Sequence, residues 1–66
     1  MINIWKFQSG DSVEAVDTDG RVFRGHVAAI WDSEELGEDE DGIDIQITSD
    51  YIVGLHPSEI ATIQKL

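Results

Sequence analysis

The feature of this sequence with the greatest chemical potential is a run of carboxylates in the middle of the chain. Eight of the fourteen acidic residues lie between Asp32 and Asp44. Grouped carboxylates attract basic side chains, and an aromatic face beside them adds a short-range attraction for Arg or Lys. One aromatic residue stands just before the run and another follows it. The sequence therefore predicts a surface that binds a basic partner, formed by Trp31, Glu34, Glu35, Glu38, Asp39, Glu40, Asp41 and Tyr51.

Carboxylate oxygens also suit hard cations such as Ca²⁺, but their spacing does not match a dedicated site. In an EF-hand loop that began at Asp32, the fifth position would be Leu36 and the closing twelfth position would be Ile43. A loop that began at Asp17 would have Arg21 at its fifth position. The chain has no cysteine for a thiolate site. We expect no dedicated metal site and no cofactor, and weak divalent-cation binding is the third candidate function.

Residues that could perform catalysis are few. Nucleophilic catalysis needs a Ser, Thr or Cys beside a base that a third group orients. The two histidines both fit structural positions, His26 on the polar face of a long strand and His56 at a strand end before Pro57. The sequence contains neither a P-loop nor a Gly-x-Gly-x-x-Gly motif. We expect a protein that is not an enzyme and has no catalytic residues.

Net charge narrows the choice of partner. Fourteen acidic residues against four basic ones give a formal net charge of −10 and a pI near 4.1. Binding to phosphates or to an anionic membrane needs clustered Lys and Arg, so we expect neither direct nucleic-acid binding nor membrane attachment. A basic protein or peptide is the expected partner. The alternative is an acidic nucleic-acid mimic that inhibits a DNA- or RNA-binding protein.

The cellular compartment is inferred from what the sequence lacks. It contains no run of about 18 apolar residues, and residues 1–7 do not have the apolar segment of a signal peptide. The absence of cysteine fits a reducing compartment. We expect a cytoplasmic protein that is a monomer or a weak homodimer.

The elements that must position these residues are β-strands, because Ile and Val dominate the apolar residues. Residues 43–48 alternate between Ile and polar residues, and residues 51–55 follow after a polar pair, which predicts a tight hairpin. Asp19-Gly20 lies between two further β-prone segments and predicts a second hairpin. The segment from Arg21 to Trp31 is long and has apolar residues on both faces, so we expect it to bend or bulge near Gly25. Residues 2–7 are expected to form a short edge strand or to pack across one end.

Alternation also predicts which side chains form the core. Asp44, Gln46 and Thr48 should face water. The opposite face of this hairpin and the apolar residues of the other strands should be buried. The residues expected to be largely buried are Val13, Val27, Ile43, Ile45, Ile47, Val53, Leu55 and Ile63.

The order of these elements resembles that of SH3-like small β-barrels, the group that includes Tudor, KOW-type and SH3 domains. The resemblance is carried by Gly10-Asp11-Ser12-Val13, by residues 19–27 and by Leu55-His56-Pro57-Ser58-Glu59-Ile60. It implies an all-β fold, a five-stranded, mostly antiparallel barrel with one 3₁₀ turn before the last strand. Residues 1–66 would form one domain, with its core in residues 10–65 and an acidic loop at residues 32–42. The resemblance also implies a binding module, although the surface tyrosines of SH3 domains and the basic strip of RNA-binding KOW-type domains are missing.

We predict that salt stabilises this protein. Repulsion among crowded carboxylates opposes folding, and added ions screen that repulsion. The melting temperature should therefore rise when about 0.2 M NaCl is added to a dilute neutral buffer, because the Debye length then falls below about 10 Å. An equal rise in KCl would show that the effect is not specific to sodium. A melting temperature that falls with salt would contradict the prediction.

Overall fold

Five antiparallel β-strands make up about half of the chain in the computed structural model, which describes residues 2–66. The strands are β1 (Ser12–Asp17), β2 (Val22–Trp31), β3 (Gly42–Thr48), β4 (Tyr51–Leu55) and β5 (Ile60–Lys65). A first 3₁₀ turn spans Ile4–Lys6, the single helical turn α1 spans Ser33–Leu36, and a second 3₁₀ turn spans Pro57–Glu59. No helix among the described residues is long and apolar enough to span a membrane.

The longest strand, β2, joins the two halves of the sheet. Its first half pairs with β1, from Val16↔Val22 to Ser12↔His26, and its second half pairs with β3, from His26↔Gln46 to Trp31↔Gly42. The irregularity expected near Gly25 lies slightly later, as a register shift between Val27 and Ala29. Gly25 has a different role, because a Cβ atom at this position would overlap the carbonyl of Gln46. The glycine therefore allows β3 to pass close to β2.

The strand order is β4-β3-β2-β1-β5, and β4 and β5 form its two edges. The all-β prediction is confirmed, and the second 3₁₀ turn precedes the last strand as expected. Closure of the sheet into a barrel is not confirmed, because β4 and β5 are not paired with each other within residues 2–66. The Thr18 amide donates to the Glu59 carbonyl at 3.0 Å and extends the β1–β5 pairing from the β1–β2 turn to the second 3₁₀ turn.

The core lies on the inner face of the sheet. Six of the eight residues expected there are buried, namely Val13, Val27, Ile43, Ile45, Leu55 and Ile63. Ile47 and Val53 are only partly buried and pack against the margin of the core. Ile47 lies at a register shift between Gln46 and Thr48, where the regular alternation of faces is interrupted.

The first 3₁₀ turn adds two core residues outside the expected core range of 10–65. Ile4 and Phe7 are both buried against the sheet. Residues 2–7 thus pack across the sheet without forming the edge strand that was one of the two expectations. The Asn3 side chain caps the turn by accepting a hydrogen bond from the Trp5 amide at 3.1 Å. Packing of the domain therefore begins before residue 10.

The β1–β2 turn is organised by the buried carboxylate of Asp17. Asp17 Oδ1 accepts hydrogen bonds from the amides of Asp19 and Arg21 at 3.0 and 2.8 Å. Asp17 Oδ2 lies 3.2 Å from Arg21 Nε. Gly20 adopts a φ of +88°, which side chains other than glycine rarely tolerate. The hairpin expected from Asp19-Gly20 is therefore present, and Asp17 satisfies the amides of its turn.

We predict that Ile45→Ala lowers the free energy of unfolding by about 2–5 kcal/mol, since it leaves a cavity in the centre of the core. Ile52→Ala is the matched control, because Ile52 lies in the neighbouring strand but is 52% exposed. It should cost less than about 1 kcal/mol. Urea denaturation measures both values, and equal losses for the two variants would contradict this account of the core.

Candidate functional site

The acidic loop (residues 32–42) begins with an ordered helical turn, α1. Asp32 is its N-cap, and Asp32 Oδ1 accepts a hydrogen bond from the Glu35 amide at 2.8 Å. Gly37 ends the turn with a φ of +69°. Composition predicts a wholly solvated segment here. The local pattern of Asp32 followed three residues later by Glu35 is nevertheless a helix N-terminus signal.

The second half of the loop is tied to α1 and to both 3₁₀ turns by hydrogen bonds that its carboxylates accept. Asp41 Oδ1 accepts from the Ser33 amide at 2.8 Å, and Asp41 Oδ2 accepts from the Trp5 indole Nε1 at 2.7 Å. Glu40 accepts from the Ser58 amide at 3.2 Å and from the Ser58 hydroxyl at 2.6 Å. Glu40 and Asp41 thus fix the loop in place, and their carboxylates already have protein donors.

His56 links the loop to the end of β4. Its Nδ1 lies 2.8 Å from the Asp41 carbonyl oxygen, and its Nε2 lies 3.0 Å from Glu38 Oε2. Both neighbours are acceptors, so only the doubly protonated ring can donate to both. The pKa of His56 is raised, first by the hydrogen bond to Asp41 and further by the charges of Glu38, Glu59 and Glu40, while burial opposes the shift.

A groove of about 250 Å³ lies beside the loop, on the outer face of β2, β3 and β4. Trp31 is 38% exposed, and its Nε1 donates to Asp44 Oδ2 at 2.9 Å. Gly54 leaves one strand position of the groove free of a side chain, whereas Gly42 is buried beside Leu36. We call this the Trp31 groove; it is lined by Trp31, Leu36, Glu38, Gly42, Asp44, Gly54, Leu55 and His56.

Ion pairs leave the negative charge of the molecule unevenly distributed. Arg21 pairs with Asp17 and Asp19, Arg24 pairs with Glu14, and Lys65 pairs with Asp11. All these pairs lie on β1, β2, β5 or the turns next to them. Within residues 2–66, the only basic side chain paired with the acidic loop is His56. Carboxylates without a basic partner are therefore concentrated on the acidic loop, which forms one side of the Trp31 groove.

The structure brings together only part of the predicted binding surface. Trp31 and Glu38 line the groove, and Glu34, Glu35 and Asp39 are exposed on the same loop. Tyr51 pairs with Thr48 at the far end of β3, about 20 Å along the strand from Gly42, which is opposite Trp31. It lines a different groove with Arg21 and Phe23. Tyr51 is therefore not part of this site.

Among the residues that sequence reasoning did not select, Asp44, His56 and Trp5 contact predicted site residues directly. Asp44 was expected to face water. It pairs with Ala29, two residues before Trp31 in β2, and this places it on the same face as Trp31 and in the groove. His56 had a signal only as a strand-end residue before Pro57. Trp5 had no local signal, because its bond to Asp41 spans 36 residues.

We predict that the His56 contacts make stability depend on pH. A raised pKa in the folded state means that the contribution is full below the unfolded pKa of about 6.5 and is lost as pH rises through the folded pKa. The melting temperature of the protein should therefore fall relative to that of His56→Gln as pH rises above about 6.5. His26→Gln is the matched control and should retain the pH dependence of the parent. Parallel curves for the parent protein and His56→Gln would contradict the prediction.

The loop and the groove beside it form one acidic surface with an exposed aromatic ring. Its carboxylates either accept protein hydrogen bonds, pair with His56 or are exposed. In residues 2–66, no group of three or more His, Asp or Glu side chains is arranged to hold a metal ion. Comparison with protein-family models, curated proteins and solved structures gave no match to this chain.

Proposed function

We propose that this protein is a non-enzymatic interaction module that binds a basic protein or peptide through the acidic loop and the Trp31 groove. The observation that carries the proposal is the coincidence of unbalanced negative charge with an exposed aromatic groove. Charge at the surface accelerates encounter, whereas short-range contacts with a ring supply binding energy that screened charges cannot. The fold we propose is a variant of the SH3-like barrel in a cytoplasmic protein. Its strand order and the 3₁₀ turn before β5 support this assignment.

The main alternative, mimicry of a nucleic acid, has less support. Such a mimic needs acidic side chains spread along a strip with the spacing of phosphates. Here the carboxylates of Asp11, Glu14, Asp17 and Asp19 are paired with Lys or Arg. The principal dimensions of 27 × 23 × 21 Å are nearly equal. Charge concentrated at one loop favours a localised docking site.

Divalent-cation binding is also less well supported than peptide binding. The carboxylates of Glu40 and Asp41 are occupied by protein donors. Glu38 is paired with His56. The remaining loop carboxylates, those of Glu34, Glu35 and Asp39, are exposed.

We predict that neutralising free charges on the loop slows association. Glu34 and Glu35 have no side-chain hydrogen bonds among the described residues, so Glu34→Gln/Glu35→Gln removes charge and leaves the loop anchored. The probe is a dye-labelled peptide of alternating Arg and Gly. At low salt, stopped-flow measurements should show an on-rate that falls about three- to tenfold with little change in off-rate.

The matched control is Asp19→Asn/Asp50→Asn, which changes net charge equally but far from the loop. The logarithm of its on-rate should fall by less than half of the decrease seen with Glu34→Gln/Glu35→Gln, because screening limits the reach of distant charges. If both double variants slowed association equally, net charge alone would explain binding. If the peptide did not bind the parent protein at low salt, the proposed function would be wrong.

A further inference from the structure

The Trp31 groove has the size of a site for one side chain. Its volume of about 250 Å³ is below the roughly 300–1,000 Å³ that is typical of sites for small molecules and cofactors. Gly54 keeps its position in β4 open. At Gly42, an added Cβ would lie 3.2 Å from Leu36 Cδ1, so the loop closes directly over this glycine. The groove is therefore a short slot between Trp31 and the loop.

One carboxylate oxygen in this slot remains free. Asp44 Oδ2 accepts the indole Nε1 of Trp31, which fixes the carboxylate beside the ring. Asp44 Oδ1 has no hydrogen-bond partner within residues 2–66 and lies 3.1 Å from the position of a Cβ at Gly54. The ring, the fixed carboxylate and the open glycine position are thus next to one another. The slot combines an apolar surface with an acceptor whose position is already set.

We infer that the Trp31 groove binds a single arginine side chain of the basic partner. A guanidinium is planar, so it can stack on an indole while its N–H groups donate in their plane to a carboxylate. A lysine ammonium is compact and more strongly hydrated, and it cannot stack in this way. His56 at the rim is paired with Glu38, so a proton on its ring is balanced by that carboxylate and does not oppose a guanidinium strongly. This inference rests on the proposed function and adds the identity of the bound side chain.

The test compares two dye-labelled peptides of equal length, one alternating Arg and Gly and the other alternating Lys and Gly. Fluorescence anisotropy gives the dissociation constant of each with the full chain at moderate salt. The parent protein should prefer the Arg peptide by about tenfold, since only guanidinium both stacks and donates in its plane. The NMR signal of the Trp31 indole N–H should shift with the Arg peptide and much less with the Lys peptide.

Two variants locate the preference in the groove. Asp44→Asn retains an oxygen that can accept from Trp31 but removes the charge, and Gly54→Ala leaves net charge unchanged while it places a methyl group next to Asp44 Oδ1. Each should reduce the preference for Arg over Lys to about twofold or less. Asp50→Asn is the matched charge control, because Asp50 is exposed in the β3–β4 turn, and it should retain the preference. Circular dichroism verifies that each variant is folded.

The peptide measurements distinguish failure of the arginine site from failure of the proposed function. Equal affinity of the parent protein for both peptides, with binding still weakened by Glu34→Gln/Glu35→Gln, would overturn the arginine site and leave the proposed function standing. A preference that survives in both Asp44→Asn and Gly54→Ala would place arginine recognition elsewhere and overturn the inference. Absence of binding by either peptide at low salt would overturn both the inference and the proposed function.

Discussion

The fold depends on the pairing of one strand, β2, with two other strands. β2 pairs with β1 along its first half and with β3 along its second half. It thereby joins two hairpins into one sheet. The register shift between Val27 and Ala29 keeps Val27 in the core while Trp31 at the end of the strand faces outward. Gly25 permits the close passage of β3 that this arrangement requires. The position of the Trp31 groove is thus a direct result of the pairing that builds the core.

Carboxylates in this protein have two separate roles. Asp17, Asp32 and Asp41 accept hydrogen bonds from backbone amides and hold turns together. Charge-assisted hydrogen bonds of this kind are stronger than those between neutral groups. The carboxylates of Glu34, Glu35 and Asp39 are exposed and contribute mainly to the negative electric field of the acidic loop. A count of acidic residues does not distinguish these roles, whereas their hydrogen-bond partners do.

Sequence reasoning succeeded where the signal is local. The alternation in residues 43–48, the Asp19-Gly20 pair and Pro57 each act within a few residues, and each element formed where it was expected. The candidate site depends on distant partners. Trp5 meets Asp41 across 36 residues, and no local pattern encodes that contact. Tyr51 is near the acidic loop in sequence, but a strand between them carries it to the far end of the sheet.

The open sheet has a consequence for how copies of the protein behave in concentrated solution. The outer edges of β4 and β5 present backbone groups that are templates for pairing with another chain. At neutral pH, a formal charge of −10 makes copies repel one another before such edges can meet. Near the pI of about 4.1 that barrier disappears. The acidity of the chain therefore keeps the unpaired strands of neighbouring molecules apart, and acidification removes this colloidal protection.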